Sequence, residues 1–157
     1  MPSLLLRNLL FTILQPGIVA GLIPYLLVKD QLKTTLSSPF HFYQWIAFVI
    51  IIIGLAILFY CIYHFAKYGH GTLSPADPTK QLVTKGLYRY SRNPMYLGVL
   101  LVLLGETIFM RSLMLGAYLF LITILFLLYV VYFEERRLSK SFGDDYTNYK
   151  KKVKRWI

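Results

Sequence analysis

Acidic residues are scarce in this chain: 7 Asp and Glu stand against 17 Lys and Arg, for a formal net charge of +10. Cysteine is scarcer still. Cys61 is alone and lies inside an apolar run, which excludes a disulfide framework and a thiolate metal cluster. His41, His64 and His70 stand apart, with no second histidine or carboxylate at ligand spacing, so no metal site is expected. There is no internal repeat and no low-complexity segment. Charge is also missing from long stretches. Leu9 to Val28, Phe42 to Ala66 and Leu113 to Phe133 contain no Lys, Arg, Asp or Glu, and Met95 to Met110 contains only Glu106.

What fills those stretches is apolar. Of the 157 residues 57% are hydrophobic, and the mean hydropathy is +0.55, more than an ordinary soluble domain carries. Roughly 20 apolar helical residues are needed to cross the hydrocarbon of a bilayer. Three blocks have that length, and Met95 to Met110 qualifies only by recruiting flanking residues. The sequence therefore predicts an all-α polytopic membrane protein, a single domain over residues 1–157, with about four transmembrane helices. A cleavable signal peptide fits the first block poorly, because Pro16 and Pro24 interrupt it and no A-x-A-like site follows.

With four spans, every Lys and Arg except Lys29, Lys33 and Arg111 falls on one side. The positive-inside rule then places both termini in the cytoplasm. The excess charge is explained by topology and by anionic headgroups, so no nucleic-acid partner is expected. The prolines of the first span free helical carbonyls that need partners, so a kinked helix packed on its neighbours is expected. Lys29 to His41 reads as a polar connection and Tyr68 to Thr84 as an irregular loop. Arg111-Ser112 makes a tight hairpin, across which Glu106 pairs with Arg111. After Phe142-Gly143, Asp144 starts a helix with Tyr146, Tyr149, Val153 and Trp156 on one face, an amphipathic element suited to a membrane interface.

Polar groups at the mouth of an apolar span are costly unless used. Gly86 to Gly98 holds Tyr88, Arg89, Arg92, Asn93, Pro94, Tyr96 and Leu97 at such a mouth, and Glu134-Glu135 closes the last span on the same side. Pro94 suits the first turn of a helix, capped by Asn93 or Ser91. Glycines allow close backbone approach, helix-start amides favour an anion, and arginine suits a carboxylate or phosphate. A ligand with an anionic end, a cationic end and a flat ring satisfies all of these groups, and S-adenosylmethionine is one. Boundary marking by the arginines, with Glu134-Glu135 paired to Arg136-Arg137, is the competing explanation.

The pattern Gly86-x-Tyr88-x-x-x-Arg92-Asn93-Pro94-x-Tyr96-x-Gly98, preceded by Leu82-Val83-Thr84, resembles the signature of the isoprenylcysteine carboxyl methyltransferase and phospholipid methyltransferase superfamily. Glu134-Glu135 followed by Leu138, Phe142-Gly143, Tyr146 and Tyr149 resembles its second motif. The two stand in the expected order and separation, and the resemblance covers Pro75 to about Val153. It implies an integral membrane enzyme that uses S-adenosyl-L-methionine. The implied cofactor contacts are Gln81, Leu82, Val83, Thr84, Gly86, Tyr88, Arg92, Asn93, Pro94, Tyr96, Leu97, Gly98, Glu134 and Glu135, with Arg92 and Glu135 the candidates for catalytic roles. Two departures bear on the acceptor. Many members have histidine where this chain has Asn93, and the eukaryotic isoprenylcysteine enzymes carry an arginine where this chain has Val130-Val131-Tyr132.

The expected reaction is methyl transfer to an amphiphilic acceptor resident in the membrane, a lipid or a prenylated small molecule. An isoprenylcysteine-like carboxylate ranks slightly above the alternative, N-methylation of a phospholipid ethanolamine headgroup. Glu134-Glu135 argues against a sterol-type reductase. A four-span binding or transport protein is the reading from another class, and the absence of an ionisable residue near the bilayer midplane disfavours it.

Overall fold

The computed structural model describes residues 14–68 and 81–156, apart from the side chains of Phe65 and Ala66. All regular structure among them is helical. A π-helical turn, Ile18–Leu22, runs directly into α1, Ile23–Ser37; α2 is Phe42–Tyr68, α3 is Pro94–Met110 and α4 is Leu113–Tyr129. A second π-helical turn, Val130–Glu134, leads without a break into α5, Glu135–Lys152. The start of the first apolar block, and most of the loop expected between Tyr68 and Thr84, lie outside the described residues.

Among the described residues two helical stretches are long and apolar enough to cross a membrane: α2 over Phe42–His64, and the stretch that α4 opens, Leu113–Lys152. α3 is apolar but shorter. Phe48, Ile52 and Phe59 on α2, and Phe120, Leu121 and Leu128 on α4, are exposed. Apolar rows of this extent suit hydrocarbon as their solvent rather than water.

α2 and α3 run antiparallel at glycine distance. A Cβ on Gly54 would lie 2.9 Å from the Gly98 carbonyl oxygen, and one on Gly105 would lie 2.9 Å from that of Ala47. In lipid no hydrophobic force drives helices together, and close van der Waals packing of small residues does that work. The resulting core of Leu58, Val99, Val102 and Leu103 extends to Ile122 of α4.

α1 is longer than the sequence suggests, because Lys29 to Ser37 continues the helix and only a short connection precedes α2. The expected disturbance at the prolines is present as the first π-turn. A π pattern pairs the Val19 carbonyl with residue 24, but Pro24 has no N–H. The Tyr118 hydroxyl of α4 donates to that carbonyl instead, at 3.0 Å, which ties α1 to the bundle.

The α3–α4 hairpin is as tight as expected. Arg111 adopts a left-handed conformation (φ 47°), and the Ser112 hydroxyl accepts from the Leu115 amide at 3.4 Å. The expected pair between Glu106 and Arg111 does not form. Arg111 lies 5.4 Å from the Tyr43 ring centre, drawn to the aromatic face.

Gly143 (φ 49°, ψ −120°) breaks α5 where the sequence places a break. The apolar face beyond it turns inward: Tyr146, Tyr149 and Val153 are buried against Leu82, Leu138 and Phe142. The residues that read as a membrane-facing stripe thus cover the protein's own polar end.

Candidate functional site

The segment before α3 is shaped by Gly86, whose φ of 66° suits glycine. A Cβ there would also collide with the Tyr60 hydroxyl of α2. The 3₁₀ turn it begins, Gly86–Arg89, buries Tyr88 beside Cys61 and Val83. Pro94 then occupies the first turn of α3, where its missing N–H costs nothing. Asn93 precedes the helix without capping it. Its side-chain amide instead donates to the Arg155 carbonyl at 2.9 Å, and its backbone N–H donates to the Ser91 hydroxyl at 3.1 Å.

The second π-turn delivers the two carboxylates to different places. Successive residues near the start of a helix point about 100° apart, so Glu134 faces α3 while Glu135 faces the Ser91–Asn93 turn. The Tyr96 hydroxyl donates to Glu134 Oε2 at 2.8 Å. Glu135 is enclosed by cations: Arg92 Nη1 lies at 3.1 Å, Arg155 Nε at 2.7 Å and Lys150 Nζ at 3.8 Å. Arg92 Nη1 also donates to the Tyr146 hydroxyl at 3.2 Å, and the Tyr149 hydroxyl donates to the Tyr88 carbonyl at 2.6 Å.

These partners set opposite proton affinities. Burial pushes the Glu134 carboxyl above the usual carboxylate range, against the Tyr96 hydrogen bond and the charge of Arg137. Burial pushes Glu135 upward too, but the Arg155 hydrogen bond and the charges of Arg92, Arg155 and Lys150 outweigh it, and its net shift is downward. Arg92 Nε is buried with no hydrogen-bond partner among the described residues. A buried guanidinium N–H left unpaired is costly unless a ligand or water completes it.

A cavity of about 510 Å³ opens beside these groups, within the range of small-molecule sites. Its polar end is formed by Arg92, Asn93, Tyr96, Glu134 and Arg137, and its apolar length by residues such as Val99, Leu125, Phe126 and Phe133. A smaller space of about 50 Å³ continues between Leu82, Val83, Glu135, Tyr146 and Tyr149. Tyr88, Arg92, Asn93, Glu134 and Arg137 wall both.

Of the residues expected from sequence, Leu82, Val83, Tyr88, Arg92, Asn93, Tyr96, Glu134 and Glu135 are brought together around these two spaces. Gln81, Thr84, Gly86, Pro94, Leu97 and Gly98 line neither. Gly86 and Pro94 shape the turn, Gly98 packs on α2, and Gln81 is exposed. Arg137 and Arg155 were not expected. Arg137 sits one turn after Glu134 on the same helix, a spacing that makes neighbours legible. Arg155 carries no such signal, since it closes a lysine-rich tail that reads as solvated charge.

Residues 42–145 match the family described as phospholipid methyltransferase. An uncharacterized protein of Haemophilus influenzae is 39% identical over 67 residues, which are 40% of this chain and 100% of that protein. No solved structure matches.

Proposed function

The chain belongs to the phospholipid methyltransferase family, and on that footing we propose that it is an S-adenosylmethionine-dependent integral membrane enzyme that methylates an amphiphilic acceptor. One observation carries the reading. Two distant segments meet, through Arg92 with Glu135 and Tyr96 with Glu134, at the polar end of an otherwise apolar cavity.

The residues present fit such a cofactor. Arg92 Nε is a buried donor without a partner, suited to a carboxylate. Glu134 has no ion-pair partner within 4 Å among the described residues, so it is the carboxylate free to take an ammonium group. Glu135, enclosed by three cations, serves better to fix Arg92 than to receive a ligand. Tyr88 and Tyr96 offer aromatic walls. When bound, the sulfonium cofactor supplies a methyl group already activated for in-line displacement. The chain's task is then alignment and exclusion of water. The apolar wall from Val99 to Phe133 keeps water from the reacting end, and the hydrogen bond from Tyr96 fixes the direction of Glu134.

The acceptor enters from the bilayer between helices, its chain along Leu125, Phe126 and Phe133 and its headgroup at the polar end. Arg137 also has no ion-pair partner among the described residues, and it is matched to an anionic headgroup, whether carboxylate or phosphodiester. A carboxylate acceptor needs no base. An amine acceptor must first lose a proton. In the membrane we infer four spans with both termini cytoplasmic.

Incubating the enzyme with labelled methyl donor and native membrane extract tests the reading. Label is expected in organic-extractable material, base-labile for a methyl ester or base-stable in phospholipid headgroups for N-methylation. Label confined to water-soluble small molecules would exclude lateral entry of a lipid acceptor.

A further inference from the structure

The last residues of the chain do more than cover the site. Arg155 reaches it with both its side chain and its backbone. Its guanidinium grips Glu135 at two points, Nε to Oε1 at 2.7 Å and Nη2 to Oε2 at 3.3 Å. Its carbonyl accepts from the Asn93 side-chain amide at 2.9 Å and from the Ser91 hydroxyl at 3.4 Å. One residue earlier, the Lys154 carbonyl accepts the Arg92 backbone N–H at 3.0 Å. Two consecutive tail residues therefore bind all three residues of the Ser91–Asn93 turn and the carboxylate that faces it.

Without that tail, Arg92 would be held by Glu135 and the Tyr146 hydroxyl through a single nitrogen, Nη1. An arginine has several torsions, and one contact at its tip leaves much rotamer freedom. The two-point grip from Arg155 fixes the orientation of Glu135, and the backbone bonds fix the start of the Arg92 side chain. Arg92 is thereby fixed at both ends, its side chain part of a wall common to both cavities and its Nε buried without a partner among the described residues.

We propose that Arg155 is a positioning residue of the cofactor site: by clamping Glu135 and the Ser91–Asn93 turn together, it presets Arg92 for an anionic group of the ligand. This rests on the cofactor reading above. Arg155 touches no reacting atom. Lysine at this position keeps the charge but loses the two-point geometry.

The experiment is calorimetric titration of the purified full-length chain with S-adenosylhomocysteine, paired with the KM and kcat of methyl transfer. Arg155→Ala is expected to weaken binding about tenfold, roughly 1.4 kcal/mol, and to raise the KM for the methyl donor with little change in kcat. Arg155→Lys is expected to recover part of the loss. Because the clamp acts through Glu135, adding Arg155→Ala to Glu135→Gln should weaken binding no further, while its loss should add to that of Glu134→Gln. If Arg155→Ala binds as wild type, or if its loss adds to that of Glu135→Gln, the proposal is overturned while the cofactor reading stands. If Arg155→Ala fails to fold, wild-type affinity in Arg155→Lys overturns it equally. Absence of binding by the wild type would remove the cofactor reading and this inference with it.

Discussion

Glu134 and Glu135 are adjacent in sequence, yet their surroundings give them opposite energetics. The folded state raises the proton affinity of Glu134, so its contribution to stability is present below the usual value of 4.5 and is lost as pH rises through the raised one. Glu135 is depressed, so its contribution is present above 4.5 and is lost as pH falls through the lowered value. At neutral pH, Glu134→Gln is expected to leave thermal stability unchanged or higher, while S-adenosylhomocysteine binding falls. Glu135→Gln is expected to cost about 2 kcal/mol. That is below the ~3–5 kcal/mol of fully buried pairs, because Lys150 and Arg155 are partly solvated. Thermal unfolding of both variants against pH checks the signs, and the Glu135→Gln deficit should close as the buffer is acidified. Equal behaviour of the two would contradict the division of roles. Sequence pointed to both carboxylates and named Glu135 the candidate for a catalytic role, but it gave no sign of their different surroundings. Their difference comes from Tyr96, 38 residues away, and from Arg155, 20 residues away.

Among the elements, the apolar helices were legible because apolar runs without charge have few other uses. Helix ends were less so. α1 continues through Lys29 and Ser37 because its polar second half leaves the apolar block without leaving the helical conformation. The π-turn before Glu134 has no sequence mark, since Val130 to Phe133 would extend an ordinary helix equally well. Tyr146, Tyr149 and Val153 formed a correct face with the wrong neighbour, as periodicity shows that a face is buried but not whether lipid or protein covers it. The proposed topology is testable at this scale. Cysteines at Ser38 and Ser139 occupy exposed positions, and the native Cys61 is buried. In sealed vesicles the cysteine at Ser139 should be labelled from the cytoplasmic side and that at Ser38 from the opposite side. Labelling of both from one side would break the four-span arrangement.

At the scale of the whole molecule, an apolar bundle presents one polar end. There the turn before α3 and the start of α5 converge on a cavity of about 510 Å³, and the tail residues Lys154 and Arg155 bind that turn and Glu135. The α2–α3 glycine contact and the Tyr118 bond to α1 hold the apolar walls, and the Glu135 ion cluster holds the polar rim. A transporter would be expected to carry ionisable groups near its midplane, whereas those that line this cavity, Arg92, Glu134 and Arg137, gather at one end of it. The most direct measurement is titration of the purified protein, in a lipid-like environment, with S-adenosylhomocysteine and separately with a reduced nicotinamide. Saturable binding of the first and none of the second is predicted, with Arg92→Ala weakening the former about tenfold, or ~1.4 kcal/mol. Binding of the nicotinamide alone, or S-adenosylhomocysteine binding that Arg92→Ala and Glu134→Gln both leave at wild-type strength, would contradict the account.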